Sequence, residues 1–135
     1  MNLLVNLDVD DLDKAVDSYS AAFGLTVGRR FGDAGVEMLG STVPIYLLRK
    51  APGSAASTTT TQLRSYQRHW TPVHLDFVVE DIDAAVERAT AAGATPEKPV
   101  STSNWSKLAM MADPFGHGFC FVQFLGRGYD EICDC

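Results

Sequence analysis

Apolar and polar side chains alternate along Leu3-Leu4-Val5-Asn6-Leu7-Asp8-Val9, and again along Val73-His74-Leu75-Asp76-Phe77-Val78-Val79. A period of two predicts a half-buried strand in each place. One face of each strand is wholly apolar (Leu3, Val5, Leu7, Val9; Val73, Leu75, Phe77, Val79), while the other holds Leu4, Asn6, Asp8 and His74, Asp76, Val78. The first face calls for a core; the second can meet water or a ligand. The period then lengthens to that of a helix, with Leu12, Ala15, Val16, Tyr19 and Phe23 in one segment and Ile82, Ala85, Val86, Ala89 and Ala92 in the other. Asp11 and Asp81 stand where N-caps belong, Asp13 and Asp83 suit the positive end of the helix dipole, and Gly24 and Gly93 supply left-handed residues to end the helices.

The two segments are copies. Val9-Asp10-Asp11-Leu12-Asp13-Lys14-Ala15-Val16-Asp17 returns as Val79-Glu80-Asp81-Ile82-Asp83-Ala84-Ala85-Val86-Glu87, with eight of nine positions identical or conservatively exchanged. Agreement across acidic, branched and small residues marks an internal repeat. After the first helix, extended runs are expected at residues 25–31, 35–39 and 43–49, and after the second at 97–102, 106–112 and 118–124. The last two are joined by Asp113-Pro114-Phe115-Gly116, whose proline and glycine fit a type I turn. Each half therefore reads as β-α-β-β-β.

At 135 residues the chain is one domain's worth, able to bury roughly 65–70 % of its unfolded surface if the halves share a core. A half alone would be marginal, so the halves must pair, within one chain or by exchange between two. Module one is placed at about residues 1–50 and module two at about 70–125, with a tail at 126–135. Residues 51–69 are expected to link the modules flexibly, since 51–61 lack large apolar groups.

Charge narrows the partners. The net charge is −6, and the excess is in the second half: residues 1–69 hold seven basic and seven acidic side chains, residues 70–135 four and ten. No basic stripe is present for phosphate contacts, so nucleic acid is not expected; an acidic surface favours neutral or cationic small molecules. The start of the chain does not read as a signal peptide, no apolar run approaches a membrane span, and three cysteines, two of them in Cys133-Asp134-Cys135, give no disulfide framework. A cytoplasmic location is expected.

A duplicated β-α-β-β-β module with acid-capped helices and an Asp-Pro-x-Gly turn before the final strand resembles the vicinal oxygen chelate superfamily, which includes glyoxalase I, bleomycin-resistance proteins, fosfomycin-resistance enzymes and extradiol dioxygenases. The resemblance covers nearly the whole chain. It implies an α+β fold in which two tandem modules form a curved mixed sheet around a cleft. It also implies four positions at which catalytic relatives hold a divalent metal: Leu4, Tyr46, His74 and Cys120 here. That set is degenerate. Leu4 has no donor, and tyrosine or cysteine in place of glutamate loses the hard oxygen that Mg, Mn or Ni favours. No cofactor is expected. A divalent metal remains as the exception, a soft one such as zinc if Asp76 or His69 reaches His74 and Cys120.

The candidate ligand-binding residues are Leu4, Asn6, Tyr46, His74, Asp76, Trp105 and Cys120. His74, beside Asp76 on the cleft-facing side of its strand, can orient a ligand or serve as an acid or base. Trp105, in polar surroundings, is the candidate for stacking; Trp70, Phe115 and Phe119 are placed near the cleft rim, and His117 is read as a turn residue. Two functions compete: a metal-free protein binding a drug-like or secondary-metabolite molecule, as bleomycin-resistance relatives do, or a lyase, isomerase or dioxygenase working through a divergent metal site or His74. A homodimer is expected, and the tail 127–132 is a segment that could pack on a second subunit.

Overall fold

The computed structural model describes residues 1–134; Cys135, and with it the reading of the terminal cysteine pair, lies outside the described residues. The first module consists of β1 (Val5–Val9), α1 (Leu12–Phe23), β2 (Thr26–Arg30), β3 (Gly35–Leu39) and β4 (Ile45–Arg49). The second consists of β5 (Leu75–Val78), α2 (Ile82–Ala91), the short β6 (Thr95–Pro96) and β7 (Ser101–Thr102), then β8 (Ser106–Ala112) and β9 (Gly118–Phe124). A 3-10 turn over Gly128–Glu131 follows. Residues 97–102 are not one strand: Pro96 and Pro99 lack the N–H a ladder needs, so only two residues pair on each side of the break.

Both helices start as the pattern requires, Asp11 accepting the N–H of Lys14 and Asp81 that of Ala84, each at 3.0 Å. The first ends on Gly24 in the left-handed region (φ 67°), its N–H bonded to Ser20 O. The second ends on Ala92, with the left-handed residue, Gly93 (φ 104°), one place later.

Each module makes its own mixed sheet. The orders are β1-β4-β3-β2 and β5-β9-β8-β6, with β7 also on β8; β1 runs parallel to β4, and β5 to β9. The repeat is thus visible in the pairing as well as in the sequence. Each helix packs on its own sheet, α1 against β3 and β4 and α2 against β8 and β9.

The modules are joined by exchanged side chains. Phe115, from the turn before β9, is fully buried in the first module's core among Val9, Tyr19 and Leu47. In return Ala22 is buried in the second module's core, and Phe23 stacks on Phe77 with ring centroids 4.1 Å apart. Polar bonds run beside these contacts: Tyr19 donates to Asp113 (2.7 Å), Ser18 to Ala92 O, Arg88 to Ala22 O and His117 Nε2 to Asp8 O (2.7 Å). Asp113, itself buried, also accepts the N–H groups of Phe115 and His117, which sets the turn.

The connection between modules is folded back rather than slack. Arg64 pairs with Asp8 at 2.7 Å and donates to Ser54, Ala55 O and Ala56 O, while Ala55 and Leu63 form a β-bridge. Arg68 then grips Glu97 through two nitrogens, at 2.8 and 2.9 Å. Arg64 thus ties the connection to the first module, and Arg68 ties its end to the second. The tail also folds onto its own chain, where Tyr129 packs on Trp105 and Phe124. Among the described residues no helix is long and apolar enough to cross a membrane.

Candidate functional site

Register places equivalent residues in a row across each concave face. In the first sheet Asn6 faces Tyr46, and Tyr46 faces Glu37. In the second Asp76 faces Cys120, Cys120 faces Met110, and Met110 O accepts the N–H of Glu97. The two rows have the same position in the repeat and opposite character.

The first row is closed on itself. Glu37, only 5 % exposed, receives Arg29 Nη2 at 2.5 Å, Arg29 Nε and the Arg29 backbone N–H each at 3.0 Å, and the Tyr46 hydroxyl at 2.9 Å. The Arg29 guanidinium holds the Glu37 carboxyl down at about 2, so it stays ionised, while Glu37 raises the Tyr46 phenol and keeps it protonated. Gly28 leaves room for it: a Cβ there would be 2.6 Å from Glu37 Oε2, so a larger residue would have to displace the carboxylate from Arg29. Tyr46 is thereby engaged as a donor within the protein.

The second row is open. His74 Nε2 lies 3.3 Å from Asp76 Oδ1, with side chains 57 % and 38 % exposed. One ligand atom from each of His74, Asp76 and Cys120 falls within 4.8 Å of the others. Burial, aided by the neighbouring Asp76 carboxylate, pushes the Cys120 thiol up to about 11. It is therefore a protonated thiol near neutral pH, unsuited to nucleophilic attack.

Two concavities meet at His74. One, of about 440 Å³, lies between the modules; its walls include Leu4, Leu7, Tyr19, Leu75, Phe77 and Phe119, and His69, His74 and His117 all reach it. The chain has three histidines, so every one of them borders this space. His69 and His117 meet edge to face at 5.5 Å. The other, of about 130 Å³, opens over the second sheet and is lined by His74, Cys120, Met110, Trp70, Arg68 and Glu97.

Of the residues expected at the site, His74, Asp76 and Cys120 converge, and Asn6 and Leu4 join His74 around the larger cavity. Leu4 precedes β1 and is 55 % exposed, because the strand begins one residue later. Trp105 is elsewhere: it stacks on Tyr129 at 5.2 Å and packs against Phe124, at the far end of the β8–β9 hairpin, and lines neither cavity. Its place as the tryptophan beside His74 is taken by Trp70. Phe115 is core rather than rim. Sequence reasoning missed Glu37, Arg29, Arg68 and Glu97. The first had a signal, a lone acid between Val36 and Met38 in a strand; Arg68 and Glu97, 29 residues apart, had none.

The four family metal positions do not fit a hard divalent ion. Leu4 is hydrocarbon, the Tyr46 hydroxyl is engaged as a hydrogen-bond donor to Glu37, and the two remaining positions are both in the second module.

Two strand-helix modules, each closed by a parallel outer strand and facing one another across a cleft, define the vicinal oxygen chelate architecture. The chain belongs to the glyoxalase-like domain family of that superfamily, whose model matches residues 4–122. An uncharacterized protein from Mycobacterium tuberculosis (strain ATCC 25618 / H37Rv) is 33 % identical over 126 residues, covering 87 % of this chain and 71 % of that protein. Among solved structures, a glyoxalase/bleomycin resistance protein/dioxygenase family enzyme from Burkholderia phytofirmans PsJN is similar with TM-score 0.71 at 21 % identity, covering 90 % of this chain and 97 % of the other. The genomically encoded fosfomycin resistance protein from Listeria monocytogenes is similar with TM-score 0.70 at 18 % identity, over 91 % and 92 %. At such identities the two structures share the fold.

Proposed function

We propose that the protein binds a small organic molecule, neutral or cationic, in the cavity between its modules, without a hard divalent metal. The cavity itself carries this reading: about 440 Å³ with mainly apolar walls and a few imidazole and hydroxyl groups is how small-molecule sites are built. The acidic excess in the second module disfavours anions. Because relatives of this fold include both resistance proteins and a lactoylglutathione lyase from Agrobacterium tumefaciens, fold alone does not choose between binding and catalysis.

The test uses tryptophan emission. Trp70 and Trp105 are the only tryptophans, so Trp105→Phe leaves Trp70 as reporter at the mouth of the smaller cavity. A panel of planar and cationic metabolites should contain compounds that change its emission saturably. His74→Ala should weaken the response about threefold to tenfold, the worth of one hydrogen bond. A flat signal across the panel, together with no compound retained by the protein in equilibrium dialysis, overturns the proposal.

One observation favours the enzymatic alternative. His74 touches the Asp76 carboxylate and is open to solvent, an arrangement in which an imidazole can exchange a proton with a bound molecule. If a compound found by the emission assay is converted, and His74→Ala abolishes conversion while leaving binding measurable, the protein is an enzyme of this acid-base kind.

A further inference from the structure

We infer that the molecule held in the cavity of about 440 Å³ is an apolar one bearing hydroxyl or amine hydrogens, and that His69 and His117 receive those hydrogens. This rests on the binding role proposed above and names the chemistry of its ligand. It uses none of the four family metal positions.

The tautomers of the two imidazoles follow from their partners. His69 Nδ1 lies 3.0 Å from Gln67 O, and His117 Nε2 lies 2.7 Å from Asp8 O. A carbonyl oxygen can only accept, so each of these nitrogens carries the hydrogen. In the neutral ring the other nitrogen, His69 Nε2 or His117 Nδ1, is then an acceptor, and neither has a partner among the described residues. The backbone brings the two rings together. His69 N–H donates to Gly116 O, and a Cβ on Gly116 would run into Gln67 O, so the connection and the turn before β9 meet this closely only because residue 116 is glycine.

The rest of the lining has few hydrogens to give. Among the described residues no Asp, Glu, Lys or Arg borders this cavity. The Thr71 hydroxyl donates to Val73 O at 2.5 Å, and the Tyr19 hydroxyl to Asp113 at 2.7 Å. Leaving aside His74, whose Nε2 faces Asp76, Asn6 alone brings uncommitted side-chain hydrogens. The open edges of β1 and β5 offer N–H and C=O alike, so they do not alter the balance. Acceptors are in excess, and an acceptor covered by a ligand that cannot match it is a cost. A molecule that brings hydrogens to the two imidazoles avoids that cost, while Leu7, Leu75, Phe77 and Phe119 take its apolar body.

The experiment compares 2-naphthol, 2-methoxynaphthalene and 2-naphthoate, which share one ring system and differ as hydrogen donor, ether and anion. Equilibrium dialysis against the full-length protein is run at about pH 7.5, where a phenol is un-ionised and a carboxylic acid ionised. Naphthol should be held about threefold to tenfold more tightly than its methyl ether, and naphthoate least of the three. Apolar burial alone would favour the ether, which has the extra methyl group. His69→Asn and His117→Gln each keep an amide N–H for the carbonyl and remove the free ring nitrogen. The chain carrying both, its fold checked by circular dichroism, should hold naphthol and ether within about twofold of each other. If that chain does not fold, the order of the three compounds on the unaltered protein decides. Equal retention of naphthol and ether, preference for the ether or for naphthoate, or a naphthol preference that survives in the folded double variant overturns the inference and leaves the binding role standing. Retention of none of the three overturns the inference and counts against the binding role as well.

Discussion

Each module carries one acid in the corresponding row across its sheet, Glu37 on the interior strand β3 and Asp76 on the edge strand β5, and the two are treated in opposite ways. In the first, Glu37 is buried under Arg29 and Tyr46, so its charge is neutralised inside the protein and the face is closed to chemistry. In the second, Asp76 faces an exposed imidazole and a thiol, and its remaining lone pairs are available to something that is not protein. Duplication supplies two similar scaffolds. One row is closed within the protein while the other is left open to solvent.

That contrast presumes that the modules fold as one body, and Phe23 tests it first. It belongs to α1 and packs against both cores, on Tyr19 of the first and on Phe77, Phe119 and Phe121 of the second. Phe23→Ala should cost about 3 kcal/mol, the low end for a phenylalanine because the ring is only partly buried. Urea unfolding should remain one cooperative transition, moved to lower denaturant. Two separated transitions, with one unmoved, would show that the modules are independent.

Asp113 is the polar counterpart at the same seam. It receives the Tyr19 hydroxyl and two backbone N–H groups in a buried setting, so Asp113→Ala leaves three donors without a partner. A loss of roughly 2–3 kcal/mol is expected by the same unfolding assay. Tyr19→Phe, removing one of the three bonds, should cost less. If the two variants cost the same, the turn contacts of Asp113 contribute nothing.

Acid separates the two carboxylate-guanidinium clamps. The folded-state value for Glu37, about 2, lies below its ordinary 4.5, so its stabilisation is present above pH 4.5 and is lost as pH falls toward 2. Glu97 is lowered in the same direction by Arg68. Its side chain is 30 % exposed, against 6 % for Glu37. Glu37→Gln should therefore flatten the acid limb of the stability profile more than Glu97→Gln does. Equal flattening would place both clamps on the same footing and remove the distinction drawn between the faces.

The parts of the molecule set by local pattern could be read from sequence, and those set by distant partners could not. The alternation around Asn6 and Asp76 gave β1 and β5, with Val9, Leu75 and Phe77 turned inward, whereas Leu3 and Val73, expected on the core face, precede the strands and are exposed; the acid-capped 3.6-residue period gave α1 and α2. The family resemblance pointed to His74 and Cys120, and the fold brings the two together with Asp76. Trp105 was misplaced because its polar sequence neighbours say nothing of a tail that folds back to stack on it. Arg68 was hidden in a segment that reads as linker, since its partner Glu97 lies in another element. Residues 97–102 looked extended, and only the prolines in and beside them signalled the broken ladder.

The smallest effects concern what the duplication kept. Asp11 and Asp81 accept the same N–H, three residues on, at the same 3.0 Å, one in each module. Asp11→Ala and Asp81→Ala should each cost about 1 kcal/mol, and the double variant about twice that, since the caps are on different helices and share no partner. Equal costs would show that the capped strand-helix junction contributes alike in both halves, whatever has happened on the concave faces. A difference much above about 0.5 kcal/mol would mean that the first module's longer helix, with its left-handed Gly24 at the other end, depends less on its cap than the second does. In that case the divergence between the modules extends from the concave faces into the scaffold.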